Sequence, residues 1–339
     1  MFDVAVIGAG IAGLTCAQQL HQAGYNTVVV DKSRGVGGRA ATRRVNDIRA
    51  DHGLRYLEAN GERVEELIEV LLSRNILQIW YESEAKIPRY VAPDGMSAIA
   101  KFLATNLEIK LNRRVESITL NTDNIWHLTF AATTETLTAS SVLVAIPAPQ
   151  ALILLEPLAE TILPATFLDS LRRVEFDPCL TAIASYSTPL NLTGKDISFP
   201  PNSDLLWIGL DSSKRINSPA PVLVFHSSAD FACANLEAPD LNLIGQHLLS
   251  RAAAELMLPW IDAPEWFQVH RWRYAFPSRP LSEICLDSQL PQPLICCGDW
   301  CGGNLVESAL VSGIAAASGI NRYLKQLPLP GTNFLHNLG

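Results

Sequence analysis

The chain has 339 residues, 48% hydrophobic and 18% charged, which describes a well-packed globular protein larger than one ordinary domain, so two domains are expected. A net charge of −8 leaves no electrostatic footprint for nucleic acid or an anionic membrane, and an anionic ligand would have to rely on local donors. The odd count of seven cysteines, mostly in apolar stretches, reads as buried free thiols in a reducing cytoplasm. Without a basic leader or an apolar run of about 18 residues, neither export nor a membrane span is expected.

Phe2 to Ile7 form an apolar strand that runs into Gly8-Ala9-Gly10-Ile11-Ala12-Gly13 and a helical stretch ending near Gly24. Thr27 to Val30 supply the second strand of a βαβ unit. In this setting Gly8 permits the tight turn, Gly10 admits a pyrophosphate to the backbone, and Gly13 lets helix press on strand. The helix N-terminus would attract the phosphates. Asp31 ends the second strand 18 residues after Gly13, where a carboxylate accepts from ribose hydroxyls and disfavours a 2′-phosphate. The next loop, Lys32-Ser33-Arg34-Gly35-Val36-Gly37-Gly38-Arg39, adds a second glycine pair and a cation. A nicotinamide dehydrogenase does not need it, whereas FAD, whose pyrophosphate threads between two chain segments, does.

Farther along, His52 sits in the turn Ala50-Asp51-His52-Gly53 and reads as a local hydrogen-bonding residue. Val64, Leu67, Ile68, Leu71 and Leu72 recur at helical spacing over 61–72. Leu77 to Val91 alternate as strands, Ala92-Pro93-Asp94-Gly95-Met96 leads into a helix over 97–105, and Leu111–Leu120 with Trp126–Phe130 suggest a hairpin. Ser141 to Ile146 form a buried parallel strand, stopped by Pro147 and Pro149. Separated strands follow, with a helix near Leu241 to Leu256. In the strand from His270 to Phe276, His270, Trp272, Tyr274 and Phe276 share one face, as core or as the wall of a ligand cavity. Pro293 to Cys297 run as a strand into Gly298-Asp299, Gly302-Gly303 and a helix from about Val306, rich in small residues that let backbone or a ligand lie close. Cys296, Cys297 and Cys301 lack metal-ligand spacing and are read as packing.

The expected fold class is α/β: a Rossmann-type FAD-binding domain assembled from discontinuous segments, 1–75, 95–165 and 290–328, and a mixed-sheet α+β substrate domain over 76–94 and 166–289. Residues 329–339 form a C-terminal tail.

The fingerprint with Asp31 and Gly37-Gly38-Arg39 resembles the FAD-dependent amine oxidase superfamily. Ala92-Pro93-Asp94-Gly95-Met96, Trp272-Arg273-Tyr274 and Cys297-Gly298-Asp299 resemble its renalase-like NAD(P)/FAD-dependent oxidoreductases. The resemblance implies that Gly8, Gly10, Ile11, Ala12, Gly13, Asp31, Lys32, Gly37, Gly38 and Arg39 bind the cofactor's adenosine and pyrophosphate. Val115 would meet adenine through its backbone, and Gly298 and Asp299 would approach the ribityl-pyrophosphate portion. Val306 and Glu307 would present backbone N–H groups to the flavin's pyrimidine oxygen. Ser33 departs from the arginine many amine oxidases carry there. The thioether-forming cysteine motif, the paired aromatic cage and the flavin-facing lysine of typical members have no counterpart, so noncovalent FAD is expected.

Catalytic side chains stay unassigned, with His270, Trp272 and Tyr274 as candidates for the substrate cavity. By resemblance the enzyme is an oxidase taking hydride from a small reduced substrate onto flavin N5, with dioxygen reoxidising the flavin to give hydrogen peroxide. The substrate implied is an isomeric dihydronicotinamide nucleotide, of NAD(P)H type. Alternatives are an amine oxidase or a dehydrogenase with another acceptor, and a non-catalytic FAD-binding module. Oligomeric state is open.

Overall fold

The computed structural model describes every residue except 46, 84, 160, 188–191, 193, 304 and 339. The chain begins with β1 (Phe2–Ile7), α1 (Ile11–Gln22) and β2 (Thr27–Val30), then a short hairpin of β3 (Thr42–Val45) and β4 (Ile48–Asp51). α2 (Glu62–Ser73) leads to a second hairpin, β5 (Gln78–Glu82) and β6 (Pro88–Val91), then α3 (Ser97–Leu103) and β7 (Glu108–Lys110). β8 (Val115–Leu120), β9 (Trp126–Phe130) and β10 (Thr136–Val144) follow, then α4 (Ala148–Leu155) and α5 (Ala165–Arg172). Next come β11 (Glu175–Ser185), β12 (Asp196–Ser198), β13 (Leu205–Leu210), β14 (Val222–Ser227), α6 (Ala229–Asn235) and α7 (Leu241–Leu256). The chain returns through β15 (Trp266–Arg279), β16 (Leu286–Asp287) and β17 (Leu294–Cys296) to α8 (Val306–Tyr323).

Two sheets organise these elements. The larger runs β16-β17-β10-β1-β2-β7, with β9 on β10 and β8 on β9, and β17, β10, β1, β2 and β7 are parallel neighbours. Val4 to Ile7 of β1 and Val28 to Val30 of β2 are apolar because both faces of such a sheet are covered. Val4 and Val6 enter one core cluster and Ala5 and Ile7 the other. The same alternation puts Cys297 and Cys296 on opposite sides. The smaller sheet, β12-β13-β14-β11-β15, is antiparallel where its strands pair and carries its own core against α7.

The expected domain limits shift at two places. Leu286 and Asp287, assigned to the substrate domain, pair with β17 in the large sheet, and Phe167, Leu168 and Leu171 of α5 join that sheet's core. α4 and α5 escaped the sequence reading. Pro149, read as a strand stop, sits in the first turn of α4, where its missing N–H costs nothing.

α8 packs on α1. A Cβ at Gly313 would come within 2.5 Å of the Ala12 carbonyl oxygen, so the small residues of α8 serve close approach of α1 backbone. No helix among the described residues is long and apolar enough to cross a membrane.

Candidate functional site

Three chain segments converge at the C-terminal ends of the parallel strands, where open α/β sheets hold their ligands. Gly8 closes the β1–α1 turn with φ of +111°, and Gly13 packs so tightly on the Gly8 carbonyl that no Cβ fits. Ile11, Ala12 and Gly13 form the first turn of α1, which has no side-chain cap, and a Cβ at Gly10 would meet nothing within 4 Å. The helix therefore offers its unpaired N–H groups to open space.

Asp31 holds this turn. Its carboxylate accepts from Ala9 N at 2.8 Å and Ser33 N at 2.7 Å. Asp31 is half-buried and braces the turn whose ligand it would share. Arg113 N donates to the Asp31 carbonyl at 2.8 Å, which brings the segment entering Val115 alongside. Lys32 is exposed.

The second glycine loop faces the first. Gly37 and Gly38 have φ of +119° and +55°, and a Cβ on Gly38 would lie 3.6 Å from Gly10 Cα. Arg39 donates to Asp299 Oδ1 at 2.6 Å and to the Ala275 carbonyl at 3.0 Å, joining this loop to β15 and to the turn before α8. Gly298 N donates to Ser312 Oγ at 3.0 Å. Val306 and Glu307 open α8, whose first turn also lacks a side-chain cap. The Glu307 carboxylate turns away from that end and accepts from Arg63 N (3.2 Å) and Val64 N (2.7 Å), capping α2. Two uncapped helix ends, facing glycines, a carboxylate and a cation fit the pyrophosphate, ribose and ring of a bound dinucleotide such as FAD.

The smaller sheet supplies the opposite wall. Trp207, His226, Thr181 and His270 lie directly opposite one another across four strands and so share a face, with Trp272 and Cys179 in the next row. His270 and Trp272 have ring centres 4.3 Å apart, and Tyr274 meets Phe176 edge-on at 5.7 Å. Phe276 departs from the expected shared wall, being 42% exposed.

The turn from His52 to Arg55 lies between the two walls. Leu54 N donates to the Arg39 carbonyl at 2.9 Å, and Trp272 Nε1 donates to the His52 carbonyl at 2.8 Å. The His52 ring stacks on Trp272 at 5.2 Å and 30°. Its hydrogen-bonding role belongs to the backbone, since its Nδ1 is buried without a partner among the described residues. Burial first, then His270 and Arg43, pull its pKa down to about 4, so the ring is neutral.

Beneath this turn sits a group of charges no sequence pattern announced. Lys214 Nζ lies 2.8 Å from Asp211 Oδ1, and Arg215 donates at 2.7 Å to both Asp51 Oδ2 and Asp211 Oδ2. Asp51 also accepts from Met96 N at 2.8 Å and from Thr42 Oγ1 at 2.7 Å. Burial pushes the Asp51 carboxyl up, but Lys214 and Arg215 outweigh it and hold the pKa below the usual range. Asp51 comes from β4, Asp211 and Lys214 from the 211–214 turn after β13, and Arg215 from just beyond it, so only tertiary folding assembles them.

Comparison with known proteins places this geometry. A family model described as flavin containing amine oxidoreductase matches residues 71–321, and an NAD(P)-binding Rossmann-like domain matches residues 6–71. Amine oxidase [flavin-containing] B of Cavia porcellus is 39% identical over 70 residues, 20% of this chain and 14% of that protein. A putative flavin-containing monoamine oxidase, AofH, of Mycobacterium tuberculosis is 45% identical over 51 residues, 15% of this chain and 11% of that protein. The matched segments are thus a small part of those relatives. Putrescine oxidase bound to putrescine superposes with a TM-score of 0.67 at 15% identity, covering 95% of this chain and 99% of that one. A putative protoporphyrinogen oxidase from Exiguobacterium sp. 255-15 gives 0.70 at 12% identity, covering 94% and 98%. At such identities these structures establish the fold alone.

Proposed function

Since the chain belongs to the flavin containing amine oxidoreductase family, we propose that it is an FAD-dependent oxidase acting on a small reduced substrate, an isomeric dihydronicotinamide nucleotide. The observation that carries this reading is the aromatic cluster of His52, His270 and Trp272, set directly beside Gly53 and Arg39 of the dinucleotide cradle. FAD held there supplies a two-electron acceptor for hydride and returns the electrons to dioxygen as hydrogen peroxide.

The chain's own residues bind and orient. The first turn of α1 and Arg39 take the pyrophosphate, Asp31 the ribose, Val115 the adenine through its backbone, and Asp299 the ribityl side. The Val306 and Glu307 N–H groups stabilise negative charge at the flavin's pyrimidine end. The rings of His270 and Trp272 position a planar nicotinamide, whose own nitrogen drives hydride loss, so no strong base is required. Lys214 does not serve as a flavin-facing lysine, because Asp211 and the Arg55 carbonyl, each at 2.8 Å, hold its ammonium. Cys301, 1% exposed and packed in the core, is unsuited to a flavin thioether, so FAD is held noncovalently and acid should release it.

Anaerobic stopped-flow tests the substrate. The 2- and 6-dihydro isomers of NAD(P)H should bleach the flavin faster than ordinary β-NADH or simple amines. A second reading, amine oxidation, draws on the likeness to putrescine oxidase and amine oxidase B, and rapid reduction by amines with none by the isomers would establish it. Reduction by neither would favour a binding module.

A further inference from the structure

Arg55 follows the His52–Gly53 turn and lies over the polar row of the smaller sheet. Its guanidinium carbon is 4.9 Å from the Trp207 ring centre, and its Nε donates to His226 Nδ1 at 3.0 Å. Its two terminal nitrogens have no hydrogen-bond or carboxylate partner among the described residues, whereas the neighbouring Lys214, Arg215 and Arg89 are paired. Lys214 and Arg215 hold Asp51 and Asp211, and Arg89 holds Asp196 and Glu58. Arg55 is half-buried, so its unpaired fork is open to an incoming oxyanion.

His226 fixes the orientation of that guanidinium. Because its Nδ1 accepts from Arg55, the ring proton belongs on Nε2, which is buried and without a partner among the described residues. Burial and then Arg55 and Lys214 hold its pKa well below the ordinary value, so the ring stays neutral and keeps its Nδ1 lone pair for Arg55. His226 thus anchors the Nε end of Arg55 beside Trp207 and leaves the two terminal nitrogens of the fork unused.

We propose that Arg55, oriented by His226, forms an oxyanion subsite that holds a carboxylate or phosphate of the substrate beside the flavin. The inference rests on the reading that substrate meets the flavin at this sheet face, and it adds which residue holds the substrate's anionic group. A planar fork grips an oxyanion through two parallel hydrogen bonds, which fixes orientation as well as supplying affinity.

The oxidised holoprotein is titrated with benzoate and, separately, inorganic phosphate, following flavin absorbance, for the wild type, Arg55→Gln and Arg55→Lys. The wild type should bind at least one anion saturably. Arg55→Gln should weaken that binding about 10- to 100-fold, the loss of one charge-assisted contact, and Arg55→Lys should fall between, retaining charge without the fork. Where Arg55→Gln does not fold, Arg55→Lys carries the comparison. Preference for a dihydronicotinamide mononucleotide over its phosphate-free nucleoside, lost in the variant, identifies phosphate; benzoate binding without that preference identifies carboxylate. Three results overturn the proposal: no anion bound by the wild type, unchanged affinity in both variants, or loss of FAD from Arg55→Lys, which would place Arg55 on the cofactor. The titration needs no turnover, so intact anion binding with no reduction by any dihydronicotinamide would sink that substrate reading and leave the subsite standing.

Discussion

Replacing Asp31 with alanine should do two separable things. The carboxylate accepts from Ala9 N at 2.8 Å and Ser33 N at 2.7 Å. Ala9 is fully buried, so its N–H would lose its partner with no water to replace it, whereas Ser33 is exposed and would be resolvated. An unpaired buried donor costs about 1–3 kcal/mol, so the apoprotein should lose that much stability in denaturant unfolding. Bonds from the ribose hydroxyls to a charged acceptor contribute roughly 1.5–3 kcal/mol, which corresponds to about a 10- to 100-fold loss of FAD affinity. The assay is titration of apoprotein with FAD by flavin fluorescence, run beside urea unfolding of the same apoprotein. Unchanged FAD affinity would refute Asp31 as the ribose ligand, even if stability fell as expected. Unchanged stability would refute the bracing role.

Asp211→Asn should destabilise the fold by about 3–5 kcal/mol, because it leaves Lys214 and Arg215 sharing only Asp51 in a region closed to water. Unfolding of the variant checks this, and a loss under about 1 kcal/mol would mean the charges are hydrated in solution. Glu307→Ala should cost about 1–2 kcal/mol through loss of the α2 cap, with little change in FAD affinity, since any cofactor contact there is made by backbone. A fall in FAD affinity at unchanged stability would reverse that assignment. His52 titrates at about 4 in the fold against 6.5 for the free ring, so the unfolded chain binds more protons between those values. Its contribution is intact above about pH 6.5 and fades as pH falls toward 4, by on the order of 3 kcal/mol. Unfolding measured across pH 4.5–7.5 should therefore show a shallower acid slope in His52→Gln than in the wild type, and equal slopes would refute the depressed pKa.

The dinucleotide cradle was legible in the sequence because its chemistry is local. Gly8, Gly10, Gly13 and Asp31 act through spacing along one βαβ unit, and Gly37-Gly38-Arg39 follows the acid directly, so chain order carries the geometry. β1, β2 and the buried end of β10 announced themselves by unbroken apolar runs, and α7 by its helical period. The second wall could not be read in this way. Trp207, His226, Thr181 and His270 come from four strands and meet only through antiparallel register, which a one-residue slip would undo. Arg55 looked like any polar turn residue, and Asp51, Asp211, Lys214 and Arg215 like surface charges, since burial depends on what packs above them rather than on neighbours in sequence. The domain limits moved for the same reason: two residues of β16 and one face of α5 follow their packing partners into the large sheet. The sequence alone therefore determined the place for a dinucleotide, through local backbone geometry, and tertiary packing alone decided what surrounds its reactive end, because long-range register and desolvation set which side chains meet there.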